Sequence, residues 1–496
     1  MVEDTMRILT PRTIPHLAAT IPQAPRAATT RTLVTGSSAK LFASSADLGE
    51  VEKQGRTASL SICSRRGQQA VKLLPSYLAD ARSVEKYSPE TPNGALQLGV
   101  AESQLCEDWL VPALNRHEVA LDASCIYYQP TPGRPGLRSA MANYIEELVG
   151  LPAGQLDPEG FVVGAGCNAV LENLCLCLAE PGEAVMIPKP YYAAFEFDLV
   201  ARAGLYVQPV SIQEYHPALE TSDPSIYYPT TASLDAAYNK ALEDGHAPRI
   251  LLLSHPQNPL GICYPKETIL ECLDWCESKQ VHLVSDEIYA GSVYRPEIAG
   301  FKSILELAAS RKEGLGPFVH WVYSLSKDFA TSGLRVGSAY SENMDIRLPM
   351  QKLNDLCQIS SQTQVWTESL LSKTENSQSW TSAFREENHR RLNARCEALT
   401  ACLDECGIPY LTPTSGLFCW IDLSQYLPTG TEMSDAERER ELYLRLVKEF
   451  GLLLTPGDSM KNERPGFFRI VFTAATDEEF QLGLERFRKF AEACKH

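Results

Sequence analysis

The chain lacks the signals of several common protein classes. No CxxC pair occurs among its 15 cysteines, and no histidine is placed to complete a zinc site beside the closest pairs. Those pairs are Cys175/Cys177, Cys272/Cys276 and Cys402/Cys406. No apolar run approaches the length of a membrane span. With 45 basic and 62 acidic residues, the formal net charge is −17, and nucleic acids and anionic membranes require a basic face instead. We therefore expect no metal site, no membrane and no nucleic-acid partner.

What the chain does have is the composition of a globular protein. Its 496 residues are 44% hydrophobic and 22% charged, which is enough for two or three domains with a large core. Many cysteines lie in apolar runs, which is typical of reduced thiols that fill a core in a reducing compartment. We therefore predict a cytoplasmic protein.

The N-terminal segment differs in composition from the rest. It contains no acidic residue between Asp4 and Asp47 and is rich in Arg, Ser, Thr and Pro. We predict that residues 1–55 form an extension, either disordered or an organelle transit peptide, so a mitochondrial location is the alternative. The predicted division continues with an arm and part of a small domain (56–124), a large cofactor-binding domain (125–345) and a small C-terminal domain (346–496).

Three short apolar segments alternate with helical patterns, and polar residues follow each of them. The segments are 250–254, 281–285 and 321–324, and the polar residues are Asn258, Asp286, Tyr289, Ser324 and Lys327. This alternation predicts an α/β fold whose large domain has three layers and a mainly parallel sheet, with a smaller α+β domain. Ligands bind at the carboxyl ends of such strands, so these side chains should converge. A further short strand is predicted over residues 96–101.

Lys327 is the centre of the predicted site. It lies among small hydroxyl residues and could form an imine with an aldehyde cofactor such as pyridoxal 5'-phosphate (PLP); the alternative is a solvated surface lysine. Asp286 could hold the pyridine nitrogen protonated, because opposite charges in contact favour both charged forms. Asn258 and Tyr289 could hold the 3-oxygen, and Tyr192 could cover one ring face.

The phosphate and the substrate need their own binding groups. Backbone N–H groups of Cys167, Asn168 and Ala169 start an apolar helix, and with Ser324 and Arg335 they could bind a phosphate. Arg469 lies in an apolar strand, where a charge must be paired, and an arginine suits a substrate carboxylate. Each residue has a structural alternative, such as a helix cap, a turn or a surface charge, but their joint order favours a PLP site.

From about residue 90 to its end the chain resembles the class I/II aminotransferase family of fold-type I PLP enzymes. The general motifs are NPLG at 258–261, SDEIY at 285–289, SLSK at 324–327 and GLRVG at 333–337. Within the family the chain is similar to the 1-aminocyclopropane-1-carboxylate (ACC) synthase branch. The segments that carry this similarity are 101–105, 190–192, 323–328, 360–364 and 416–423.

The resemblance implies roles for individual residues. Lys327 would carry the internal aldimine and transfer protons, with Tyr192 beside it. Glu102 and Arg469 would bind the substrate. The family forms homodimers with the site at the interface, and a tyrosine crosses from the neighbour to the phosphate. Direct alignment puts Thr131 at that position, whereas the looser aminotransferase pattern puts Tyr128 there.

Three functions remain open from the sequence. The first is cleavage at the β or γ carbon of an amino acid or its conjugate through a quinonoid, including elimination or C–S cleavage, for which Glu102 and Tyr192 are the favouring residues. The second is an aminotransferase that moves the amino group to a 2-oxo acid. The third is a non-catalytic relative kept for binding, which predicts loss of Lys327 or Asp286, and both residues are present.

Overall fold

A computed structural model describes residues 63–73, 75, 77–116, 122–212, 223–312, 314–375, 377–429 and 433–494. The predicted extension, residues 1–55, lies outside these ranges, so both of its interpretations and the compartment stay predictions. The division into domains also stays a prediction.

The described residues form alternating strands and helices. The strands are β1 (Leu96–Gln97), β2 (Phe161–Ala165), β3 (Ala184–Pro188), β4 (Tyr206–Val210), β5 (Pro248–Ser254), β6 (His282–Asp286), β7 (Val319–Ser324), β8 (Val336–Tyr340), β9 (Thr374–Glu375), β10 (Gln378–Ser379), β11 (Tyr410–Leu411), β12 (Phe418–Asp422), β13 (Leu452–Leu453), β14 (Thr455–Pro456) and β15 (Phe467–Val471). The α-helices are α1 (Arg65–Lys72), α2 (Tyr77–Ser83), α3 (Glu107–Arg116), α4 (Pro135–Val149), α5 (Cys167–Leu178), α6 (Phe195–Val200), α7 (Thr231–Glu243), α8 (Lys266–Lys279), α9 (Pro296–Ala299), α10 (Ile304–Ala309), α11 (Leu325–Asp328), α12 (Met344–Leu353), α13 (Ser361–Leu371), α14 (Trp380–Cys406), α15 (Asp435–Phe450) and α16 (Asp477–Ala493).

The larger sheet has the strand order β2-β8-β7-β6-β5-β3-β4. Its pairings are parallel from β4 across β3, β5 and β6 to β7. Strand β8 is antiparallel to both of its neighbours, β7 and β2. The sheet is therefore mainly parallel, as the sequence predicts, and β5, β6 and β7 lie side by side with their carboxyl ends at one edge.

Both faces of this sheet are buried. Along β5, Leu251 and Leu253 belong to one apolar cluster, which includes residues of α4 and α8. Ile250 and Leu252 belong to a second cluster, formed with residues of α5 and α6. Helices on both faces explain why the strands are continuously apolar rather than alternating. The predicted three-layer arrangement is confirmed.

A smaller antiparallel sheet is formed by β11, β12, β15 and β14. Helices α14 and α16 pack on each other near this sheet, and α15 packs on α16. Strand β1 pairs in parallel with β13, so a segment from the beginning of the described chain is joined to this C-terminal part. The smaller α+β part of the prediction is confirmed as well.

Strand β1 is shorter than the sequence indicates. The prediction covers residues 96–101, whereas the strand ends at Gln97. Beyond it, the backbone of Leu98 still pairs with Leu453 and Val471, and side chains then bond to two backbone carbonyls. Gly99 O accepts from Arg469 Nη2 at 2.6 Å and Ala101 O accepts from Lys327 Nζ at 2.6 Å. The backbone shortly after the strand therefore contacts two side chains of the predicted site.

Three features of the composition can be compared with the structure. Most of the cysteines are buried, in agreement with a core-filling role. Within the described ranges no helix combines the length and apolar character needed to cross a membrane. The same residues contain no group of His, Cys, Asp and Glu side chains suited to hold a metal ion.

We expect Leu252→Ala to destabilise the protein by about 2–5 kcal/mol, because the side chain is fully buried at the centre of the larger sheet and its removal leaves a cavity. Urea unfolding measures the loss. Leu356→Ala is the control, since that leucine is 80% exposed, and it should change the free energy of unfolding by less than about 0.5 kcal/mol. Similar values for both variants would contradict the assigned core.

Candidate active site

A cavity of about 310 Å³ lies at the carboxyl ends of β5, β6 and β7. Nine of the residues predicted for the site line its wall: Cys167, Asn168, Tyr192, Asn258, Asp286, Tyr289, Lys327, Arg335 and Arg469. The fold thus brings together side chains that are up to 302 positions apart in the chain, between 167 and 469. Strand ends and helix starts supply most of them, as expected for a parallel sheet.

Lys327 lies in α11, the single turn that follows β7. Its Nζ donates to Ala101 O at 2.6 Å. Burial, assisted by the positive charge of Arg469, lowers the pKa of the Lys327 amine to about 8. A substantial fraction of this amine is therefore neutral and nucleophilic at mildly alkaline pH, which an exposed lysine is not.

Asp286 ends β6 and is 4% exposed. Its Oδ1 accepts from the Ile288 N–H at 3.3 Å and from the Cys167 thiol at 3.7 Å. Burial raises the pKa of this carboxyl to about 7. No cationic side chain in the described ranges forms an ion pair with it, so a cationic N–H of a ligand would complete its environment.

The start of α5 and Arg335 form a cradle for an anion. A Cβ at Gly166 would lie 2.3 Å from Arg335 Nη2, and a Cβ at Gly337 would lie 2.3 Å from Gly166 C. The two glycines thus permit β8 and the guanidinium to approach the helix start closely. Arg335 has a φ of 57° and donates to Ser332 O and Ala165 O at 3.0 and 3.3 Å. Free N–H groups, the helix dipole and the guanidinium all favour a bound phosphate.

The two serines of the SLSK motif have different positions. The Ser324 hydroxyl donates to Val336 O at 2.8 Å and lies behind the wall, where it caps α11. Ser326 lines the cavity, and its Oγ lies 2.7 Å from Ser324 Oγ. The sequence offered both hydroxyls two residues apart, and we predicted only Ser324 for the phosphate.

Arg469 carries a buried positive charge with neutral partners. It is 3% exposed. Its Nη1 donates to Asn258 Oδ1 at 2.8 Å and its Nη2 to Gly99 O at 2.6 Å, whereas its Nε has no hydrogen-bond partner. Since these partners are neutral, no carboxylate in the described part of the chain pairs with the guanidinium. The cavity can therefore hold an anionic ligand group, such as a carboxylate, against this guanidinium.

Two tyrosines complete the wall. The Tyr289 ring packs edge-on against Phe418 with ring centres 5.2 Å apart. The Tyr192 ring packs edge-on against Phe195 at 5.4 Å. Burial raises the pKa of both phenols, so both hydroxyls remain protonated and can donate hydrogen bonds at neutral pH.

Four predicted residues lie off the wall. Glu102 is exposed, and its Oε1 accepts from the hydroxyl of Ser332, a wall residue, at 2.9 Å. Ala169 lies on α5 between the lining residues Asn168 and Leu171. Tyr128 is exposed on the loop before α4, and Ser324 lies behind the wall as described. The alternative to Tyr128, Thr131, is also absent from this cavity's lining residues.

Asp198 on α6 is a wall residue that we did not predict. It is 9% exposed, and its Oδ2 accepts from Asn168 Nδ2 at 2.6 Å. The available signal was a pair of acids, Glu196 and Asp198, within the otherwise apolar segment 193–200. A buried acid in such a segment requires a hydrogen-bond donor, but the sequence did not show which residue supplies it.

The comparisons with known proteins cover most of the chain. The model of the family described as aminotransferase class I and II matches residues 98–487. ACC synthase 5 of Arabidopsis thaliana is 34% identical over 416 residues, which are 82% of this chain and 84% of the relative. The ACC synthase of Malus domestica is 32% identical over 431 residues, or 84% of this chain and 87% of the relative.

Solved structures support the fold. A single mutant of Thermus thermophilus aspartate aminotransferase superimposes with a TM-score of 0.63 at 23% identity, covering 86% of this chain and 99% of its own. The aromatic aminotransferase of Pyrococcus horikoshii gives a TM-score of 0.62 at 19% identity, covering 86% of this chain and 98% of its own. At these identities the likeness is one of fold.

We expect Asp286→Asn to stabilise the ligand-free protein above pH 7. The folded-state pKa of this carboxyl is about 7, whereas in an unfolded chain it lies near 4. The folded state thus binds the proton more tightly. This protonation contributes to the free energy of unfolding at pH 4, and the contribution is lost as the pH rises through 7. Urea unfolding should show a gain on the order of 2–4 kcal/mol at pH 8 and little at pH 4.

The control for this variant is Glu243→Gln, which removes an exposed acid of α7 and should show no pH-dependent difference from the wild type. An equal effect of Asp286→Asn at both pH values would contradict the raised pKa.

Proposed function

The chain belongs to the class I and II aminotransferase family of PLP-dependent enzymes, and on that premise we propose that it cleaves a bond at the β or γ carbon of an α-amino acid or amino-acid conjugate. The relatives named ACC synthase match more than four fifths of the chain and support this proposal. The aminotransferases among the solved structures share the fold with it.

The residues of the cavity fit the cofactor. Asp286 would hold the ring nitrogen, Asn258 and Tyr289 the 3-oxygen, and the start of α5 with Arg335 the phosphate. When bound, PLP draws electrons away from the α carbon of an attached amino acid. The unpaired buried carboxylate, the uncompensated guanidinium of Arg469 and the glycine-lined cradle are the features that make this fit specific.

The protein's own part in the reaction is binding and proton transfer. Arg469 would bind the substrate carboxylate, since none of the described residues supplies an anionic partner for its charge. That contact would orient the substrate in the cavity that Lys327 also lines. The Lys327 amine, whose pKa is lowered to about 8, can accept the α proton and return it.

The observation that carries the elimination proposal is the position of Glu102. Lys327 Nζ bonds to the carbonyl of Ala101, the residue before Glu102. The Glu102 carboxylate is held at the mouth of the cavity by the hydroxyl of Ser332. A carboxylate so close to the reacting lysine can bind a cationic or hydrogen-bond-donating leaving group. This is the feature that simple transamination does not need.

The alternative is an aminotransferase that moves the amino group to a 2-oxo acid. It requires Lys327, Asp286 and an arginine for the carboxylate, and the cavity has all three. Among the described residues, the cations that line the cavity are Lys327, Arg335 and Arg469. If Arg335 holds the phosphate, a single arginine is left for substrate, which disfavours a dicarboxylate-specific transaminase.

We also propose a homodimer. Ile126, Tyr127 and Tyr128 form a run of large exposed apolar side chains on the loop before α4. Such a run is typical of an interface, and it contains the tyrosine expected to reach a neighbour's phosphate. Size-exclusion chromatography with light scattering of the wild type and of Tyr128→Asp tests this assignment.

Product analysis tests the reaction. We expect the PLP-loaded protein, given sulfonium or thioether amino acids, to release the leaving group without accumulating pyridoxamine phosphate. Glu102→Gln should lower kcat/KM for cationic substrates about ten- to hundredfold, the cost of a lost charged hydrogen bond. Glu107→Gln, an exposed acid five residues later, is the control. Accumulation of pyridoxamine phosphate with a 2-oxo acid would favour the aminotransferase instead.

Lys327→Ala tests the lysine independently of the reaction. The wild type, reduced with borohydride in the presence of PLP, should carry a stable adduct on Lys327 that mass spectrometry can locate, and its visible absorbance should disappear. The variant should lose turnover and this adduct, while the remaining phosphate cradle still binds PLP. Lys302→Ala, which removes a lysine at an exposed ion pair, is the control. Full turnover by Lys327→Ala would remove this lysine from the mechanism.

A further inference from the structure

Two consecutive residues at the start of α5 serve two different carboxylates. The Cys167 thiol donates to Asp286 Oδ1 at 3.7 Å, and Asn168 Nδ2 donates to Asp198 Oδ2 at 2.6 Å. Both carboxylates line the same cavity. The expected roles of the site use Asp286 and leave Asp198 without a function.

The burial of Asp198 destabilises the folded protein. It is 9% exposed and has no ion pair with any described cation; its side-chain hydrogen bond comes from the neutral amide of Asn168. Burial raises the pKa of the Asp198 carboxyl to about 6, so it is ionised at neutral pH. A buried and unpaired carboxylate destabilises the protein, which indicates that the charge has a use in the cavity.

The groups around Asp198 leave its charge uncompensated. Glu172 on α5 pairs with Arg202 at 3.0 Å and is also acidic. Cys167 and Tyr192 remain neutral because burial raises the pKa of both groups. Asp286 is the other carboxylate of the cavity, and the charge of Asp198 contributes to its raised pKa.

Strand β4, which also packs on α6, adds no compensating cation nearby: its Tyr206 stacks on His246. This end of the cavity is therefore negative, whereas Arg335 and Arg469 make other parts of the wall positive.

We propose that Asp198 is a positioning residue for the cofactor: it fixes the Asn168 amide at the start of α5 and supplies a second negative charge that favours the protonated pyridine ring beside Asp286. A negative charge in a water-poor cavity stabilises a cation nearby and repels an anion. Asp198 should therefore strengthen the binding of the protonated ring and weaken the binding of the phosphate of the same ligand.

This difference in sign gives a test that does not depend on turnover. The probes are PLP, which carries both groups, and inorganic phosphate, which carries only the anion. Their dissociation constants are measured by calorimetry at pH 8 and pH 5 for the wild type, Asp198→Asn and the control Glu172→Gln. The control removes a neighbouring acid that is already paired with Arg202.

At pH 8 we expect Asp198→Asn to weaken PLP binding about tenfold, the effect of one pKa unit of interaction, and to leave phosphate binding unchanged or tighter. At pH 5 the wild type is protonated at Asp198, so the difference should vanish. Glu172→Gln should change neither constant. Parallel weakening of both probes, or a PLP difference of equal size at both pH values, would overturn the proposal.

Asn168→Ala provides a second test if Asp198→Asn folds poorly. It keeps the charge but removes its hydrogen bond, which raises the pKa of the carboxyl further. The fall in PLP affinity on acidification should then begin at a higher pH than in the wild type. An unchanged midpoint would overturn the role of the Asn168 contact.

Discussion

The burial of uncompensated charge is the constraint on which the rest of the structure depends. Asp286 forms no ion pair with a described residue, and Arg469 is a guanidinium with neutral partners. Groups of this kind are costly in a folded protein, and they persist because a large sheet with both faces covered supplies the necessary stability. Each group comes from a different element, so none can be moved without disturbing the strand or helix that carries it.

Much of this arrangement is predictable from sequence because it depends on local patterns. Apolar strands that end in polar residues place Asp286 and Lys327 at one edge of a parallel sheet, and the order of the motifs identifies their neighbours. Asp198 escaped prediction because its partner lies on another helix. The choice between Ser324 and Ser326 depends on which hydroxyl the backbone of β8 captures, and spacing alone does not determine that.

The reaction also cannot be predicted from local sequence patterns. Lys327 and Asp286 are the residues expected to bind the cofactor whichever reaction follows, so they leave the choice of reaction open. The groups at the mouth of the cavity distinguish elimination from transamination. Glu102 is exposed there and is held by one hydroxyl. An exposed residue can be substituted at little cost in stability. Its role is also difficult to predict, because an ordinary surface acid and an acid that binds substrate look alike in a sequence.

The contacts that hold Lys327 and Arg469 have a consequence for how this site can diverge. Both side chains bond to main-chain carbonyls, at Ala101 and Gly99, and a carbonyl is retained whatever side chain its residue carries. Val100, between them, lines the cavity and is 42% exposed. Substitution there can reshape the entrance while the anchoring oxygens stay in place. The main-chain carbonyls that anchor the two cationic side chains are thus independent of the side chain that shapes the entrance.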